Sequence, residues 1–140
     1  MDDLRNLTAT AYTEVPFHDL DPMDIVWHGN HFKYFEMGRT ALLERIDYDI
    51  PQMKASGYSW PVIECQCRFM RPLEYRMKLE ITATLLEISH RLKISYVITQ
   101  EGQAKRLSRG HTVQVAVDEA QKEMCATSPA ILRRKVEAAR

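Results

Sequence analysis

The sequence predicts an α+β fold in which one long helix lies against a five-stranded, mostly antiparallel sheet. Three observations predict it. Phe32, Phe35, Leu42, Leu43 and Ile46 recur at helical spacing after residue 30. From Tyr58 onward the period changes to two, as in Leu92, Ile94, Tyr96 and Ile98, or Val113, Val115 and Val117. The connections between these later blocks are short, which suits hairpins rather than crossover helices.

The elements follow in order. Residues 8–17, TATAYTEVPF, are rich in Thr, Tyr and Val and read as a first strand, with Pro16 near its end. Residues 18–29 hold no period and read as a loop. Asn30 is a good N-cap for a helix of about 17 residues, roughly 26 Å long. Pro51 at a first helical position and Gly57 as a stop predict a second, short helix within 48–57. Strands are expected at 59–70, 77–88, 91–101 and 105–117, with a clear turn at Glu101-Gly102 and a weak one near Ser89-His90. Ser128-Pro129 opens a C-terminal helix ending near Ala138. One long helix covers only one face of such a sheet, so the other face and the open edges must meet water or a second subunit.

Composition sets the outer bounds. A chain of 140 residues fits a single domain, 1–140, that buries roughly 68–70% of its unfolded surface. Its 45% apolar and 27% charged content is ordinary for a globular protein. Lys and Arg number 19, as do Asp and Glu, so no overall field points to nucleic acid or membrane. No apolar stretch approaches the ~18 residues of a membrane span, and the acidic start, MDDLRNLTAT, lacks the apolar core of an export signal. Three cysteines, an odd number, speak against a disulfide framework and for a reducing, cytoplasmic setting. Cys65 and Cys67 share one face of a strand and read as small buried hydrophobes; no spacing suggests a metal site.

The chemistry concentrates in DLDPMDIVWHGNHFKYFEMGR, Asp19 to Arg39. It sets carboxylates at 19, 21 and 24, histidines at 28 and 31, and Trp27 around the start of a helix, where unpaired amides and a partial positive charge favour anions. Plain readings exist for each residue. Asp-Pro commonly starts a turn. Asp19 reads as a loop hydrogen-bonder, and Asp24 as a solvated acid or as a charge that raises the pKa of Asp21. His28 either orients substrate or water, or hydrogen-bonds at the helix start. Trp27 reads as wall. Glu36 and Arg39, three apart on the helix, read as an ion pair.

This segment resembles the active-site segment of the hotdog-fold thioesterases of the 4-hydroxybenzoyl-CoA thioesterase type. Asp19, Asp21, Val26, Trp27, His28, Asn30, Glu36 and Arg39 occupy the family's places without a gap. RFMRPLEYRMKLEI resembles the family's second strand block and RGHTVQVAVD its last strand, so the likeness spans almost the whole chain. There are departures. Asp24 stands where a small residue, often Gly, is usual; His31 replaces an aromatic; Arg76-Met77 replace acidic residues after Pro72.

The resemblance implies a hotdog fold, with the central helix wrapped by the sheet, and hydrolysis of an acyl-CoA or acyl-carrier-protein thioester. Asp21 would act as nucleophile or as base for water, with His28 beside it, and Trp27, Gly29 and Asn30 would position the substrate or supply oxyanion amides. Glu36 is the runner-up, because another hotdog branch carries a catalytic Glu one position away on this helix. No metal or redox cofactor is implied, coenzyme A being part of the substrate. His90 and Arg91 in SHRLK, and Lys105 and Arg106 nearer the C-terminus, are the expected contacts for the carrier's phosphates. A homodimer or homotetramer with sites between subunits is also implied. Met23, Met53, Phe69, Met70 and Met77 are candidates for an adaptable apolar lining. Two rivals stand beside this reading: a 3-hydroxyacyl-thioester dehydratase with His28 or His31 as base, and a non-catalytic acyl-thioester-binding domain whose site Asp24 spoils.

Overall fold

A computed structural model describes residue 4 and residues 6–140; Met1, Asp2, Asp3 and Arg5 of the start read above for an export signal lie outside the described residues. The larger strands are β1 (Thr8–Glu14), β3 (Val62–Phe69), β4 (Lys78–Glu87), β5 (Leu92–Gln100) and β6 (Arg106–Gln114). Three two-residue strands accompany them: β2 (Tyr58–Ser59), β7 (Val117–Asp118) and β8 (Glu123–Met124). The helices are α1 (Asn30–Arg45), α2 (Ile50–Ser56) and α3 (Ala130–Ala139). The large sheet runs β1-β4-β5-β6-β3, antiparallel throughout, and a small second sheet runs β2-β7-β8. This is the expected hotdog arrangement.

The period of two explains the sheet's inner face. Leu79, Ile81, Ala83 and Leu85 of β4 and Leu92, Ile94, Tyr96 and Ile98 of β5 are all buried, while their neighbours in sequence are not. Burying each such large apolar side chain contributes about 1.5–3 kcal/mol. Helix α1 lies across this face, chiefly over β4 and β1. Its close approach depends on Gly38, where an added Cβ would stand 2.8 Å from a methyl of Ile81. Phe35 stacks flat on Tyr96 at 4.7 Å, which ties the helix to the sheet's centre.

Several expectations need correction. Asn30 is the first helical residue rather than the N-cap. Gly29 takes that place, and no side chain caps the helix. The buried stripe of α1 comprises His31, Tyr34, Phe35, Gly38, Leu42 and Leu43. It is rotated from the face expected at 32, 35, 36, 39, 42, 43 and 46, which leaves Glu36 exposed. The strand expected at 59–70 breaks at Pro61, which has no N–H for the ladder, and Tyr58–Ser59 pair with Val117–Asp118 instead. Cys65 is exposed and Cys67 half-buried, not a buried pair. Their strand, β3, is an edge whose inward side chains extend past the cover that α1 gives. Ile63, 57% exposed, lies on the same open strand.

Candidate active site

Asp19 builds the site. It ends a single 3-10 turn, Phe17–Asp19, and is 3% exposed. Its carboxylate accepts a hydrogen bond from the Tyr34 hydroxyl at 2.6 Å and pairs with Lys33. Its backbone carbonyl accepts from the Trp27 amide and from Asn30 Nδ2, each at 3.0 Å. Burial pushes the Asp19 pKa up, but Lys33 and the Tyr34 hydroxyl outweigh it and hold the carboxyl below its ordinary value. Asp19 is thus the loop hydrogen-bonder that its position suggested.

Between the two ends that Asp19 ties together lies Asp21. Its amide donates to Ile25 O at 2.8 Å, and its carbonyl accepts from the Asp24 amide at 3.0 Å. Oδ1 accepts from the Met23 amide at 2.8 Å, while Oδ2 has no partner among the described residues. The tight turn forces Asp24 to φ 64°, the left-handed region that Gly adopts freely and Asp better than most. That is the physical reason a small residue suits position 24.

Asp21 lines a cleft of about 420 Å³ together with Met23, His28, His31, Phe69 and Arg71. Of the expected apolar lining, Met23, Phe69 and Met70 are in this cleft; Met53 lines a separate cavity beside Trp60, and Met77 packs against the core. The rings of His28 and His31 both stand edge-on to Phe69, at 6.2 and 4.7 Å. The amides at the helix start differ in availability. The Trp27 amide is committed to Asp19 and that of Asn30 to Trp27 O. The His28 and Gly29 amides make no hydrogen bond among the described residues, which leaves two adjacent donors at the mouth of α1. Trp27, half exposed, lies over Gly29 so closely that an added Cβ there would meet its ring at 2.3 Å. Glu36 pairs with Arg39 at 2.5 Å and does not line the cleft.

The basic residues divide. Met70 and Arg71 both donate their amides to Leu107 O, at 3.0 and 2.9 Å, which sets the cleft-lining Arg71 beside the start of β6. Arg106 also lines a groove on the sheet's outer face with Arg68, Lys93 and Arg109. Lys105 is exposed just before β6. Arg91 instead bonds Glu87 at 3.0 Å within the β4–β5 turn, and His90 lines a cavity with Arg133 there. Leu92 pairs with Gln114, six residues along β6 from Ser108, so that end lies roughly 20 Å from the cleft. The structure does not bring the two clusters together. Arg71, which no period singles out, is the one Lys or Arg among the residues that line the cleft with Asp21. No group of three metal-binding side chains stands together among the described residues.

Comparison with known proteins bears on the fold and the reaction class. Residues 15–134 match the thioesterase-like superfamily. A protein of Bacillus subtilis provisionally named an acyl-CoA thioesterase is 34% identical over 62 residues, 44% of this chain and 45% of its own. One of Aquifex aeolicus, provisionally named an esterase, is 30% identical over 88 residues, 62% and 69% of the two chains. The crystal structure of a 1,4-dihydroxy-2-naphthoyl-CoA thioesterase from Synechocystis superposes with a TM-score of 0.80 at 19% identity, covering 92% of this chain and 95% of that one.

Proposed function

The chain belongs to the thioesterase-like superfamily, and from that premise we propose that it cleaves an acyl-CoA or acyl-carrier-protein thioester with Asp21 as the catalytic carboxylate. One observation carries the assignment: Asp21 offers an unpartnered Oδ2 in the same cleft that His28 lines at the mouth of α1. The free amides of His28 and Gly29 supply donors for the oxygen that turns negative as the carbonyl carbon becomes tetrahedral. The carboxylate attacks that carbon directly, giving a mixed anhydride that water then hydrolyses, or takes the proton of an attacking water. In both routes the C–S bond breaks and the departing thiolate is protonated to the thiol, by solvent or by the proton the carboxylate took. Glu36, held by Arg39 outside the cleft, is a structural partner in this reading. Arg71 in the cleft and Arg106 at the start of β6 hold the carrier's phosphates. A second copy pairs along the open β3 edge and closes the cleft's exposed side.

Exchange of Asp21 for Asn is the direct test. It removes the anionic oxygen and keeps the side chain's size. We expect kcat for thiol release to fall by at least ~10²-fold while acyl-CoA binding, followed by calorimetry, persists. Glu36→Gln is the control and should cost stability rather than chemistry. Near-normal turnover by Asp21→Asn, with a folded but inactive Glu36→Gln, reverses the two roles.

A further inference from the structure

His31 is 3% exposed and Ser108 is fully buried, 77 residues away in sequence, yet His31 Nδ1 and Ser108 Oγ stand 3.0 Å apart. Ser108 follows from the pairing of Phe69 with Ser108 across β3 and β6, which points both toward α1. The half-buried Cys67 thiol lies beside the Ser108 hydroxyl. His31 Nε2 has no hydrogen bond among the described residues. It is also absent from the sealed, unpartnered polar atoms, which are Arg39 Nη1, Gln114 Oε1 and Ser128 Oγ. The accessible part of the ring is therefore its Nε2 side, on the cleft that His31 lines with Asp21 and His28.

The three groups fix one another's protons. Burial pushes the Cys67 thiol up to about 11, so it keeps its S–H. Burial, aided by the nearby His28, pushes the His31 imidazole down to about 4, so it is neutral and carries one proton. Two chains of hydrogen bonds are possible. In one, the imidazole donates from Nδ1 to Ser108, whose hydroxyl must then donate to sulfur, a weak acceptor. In the other, Cys67 S–H donates to Ser108 Oγ, Ser108 O–H donates to Nδ1, and the imidazole proton sits on Nε2. The second gives the strong donor to the strong acceptor and is favoured.

Resting on the thioesterase reading above, we infer that His31 is a further catalytic residue, a neutral donor whose Nε2–H bonds the thioester carbonyl oxygen, with Ser108 fixing its tautomer. It joins the helix-mouth amides in receiving charge on that oxygen and moves no proton itself. Ser108 is a positioning residue.

The test compares wild type with His31→Gln, His31→Phe and Ser108→Ala for thiol release from acetyl-, octanoyl- and benzoyl-CoA, alongside 15N spectra of the wild-type histidines. We expect the Nε2–H tautomer at His31. His31→Phe should lose about 10²-fold in kcat with KM changed less than about threefold, and His31→Gln, whose amide N–H reaches the same place, should recover most of it. Ser108→Ala should retain the fold and show mixed tautomers with a lower kcat. An Nδ1–H tautomer, an unimpaired His31→Phe, or, where that variant does not fold, an unimpaired Ser108→Ala overturns the inference. A wild type inactive on all three thioesters overturns the thioesterase reading itself, and the donor's target with it.

Discussion

Asp19 and His31 are both buried polar side chains, and they meet burial in opposite ways. Asp19 keeps its charge because Lys33 and Tyr34 surround it; His31, with a neutral hydroxyl as its partner, gives its charge up. The sign of the resulting pH dependence follows. The imidazole falls from 6.5 to about 4 on folding, so between those values the unfolded chain binds a proton that the folded chain refuses. Stability is fully present above pH 6.5, declines as pH falls toward 4, and levels below it; the whole change is on the order of 3 kcal/mol. Asp19, lowered from 3.8, loses its contribution only at still lower pH. Urea unfolding at pH 4.5 and 7 should therefore show a steeper loss for wild type than for His31→Gln. Parallel losses in the two proteins would mean that the ring is protonated in the folded state.

At the scale of elements, α2 offers a clean measurement. Asp49 and Gln52 form a capping box at its start, and Gly57 ends it at φ 86° with nothing within 4 Å of an added Cβ. Gly57→Ala should thus lower stability by about 1 kcal/mol through backbone conformation alone, seen as a shift in denaturation midpoint at constant slope. An unchanged midpoint would show that the turn relaxes. Helix α1 and the strands β4, β5 and β6 were legible through their periods, β1 through its Thr, Tyr and Val content, and α2 and α3 through the Pro and Gly that bound them. The two-residue strands β2, β7 and β8 were not, since two residues display no period. The face of α1 was misread because Tyr34 and His31 count as polar in sequence but lie inward through Asp19 and Ser108. Asp21 and His28 were legible through a contiguous motif. Ser108 was not, because only the β3–β6 register and the fold of α1 bring it to His31.

Across the whole molecule, the sheet is closed on its inner face and open at β3. Val62, Ile63 and Phe69 are exposed along that edge, and pairing it with a second copy would cover them. Light scattering should give at least twice 16.3 kDa, and Cys65→Pro, which removes an amide on the open side of β3, should reduce it to the monomer with loss of activity; an active wild-type monomer excludes a shared site. The separation of the basic clusters also has a measurable outcome. Arg106→Gln should raise KM for acyl-CoA several-fold, less so as salt rises, whereas Arg91→Gln, already paired with Glu87, should change it little; the reverse ranking would move the phosphates to the β4–β5 turn. Finally, the Asp19 carbonyl closes its loop through Trp27 and Asn30, without help from Pro22, Met23 or Asp24 at the tip. The tip is therefore a replaceable cassette. Libraries confined to Pro22 and Met23, with the left-handed Asp24 kept, would diversify the rim beside Asp21 on an unaltered scaffold, the natural starting point for directed evolution toward new acyl groups.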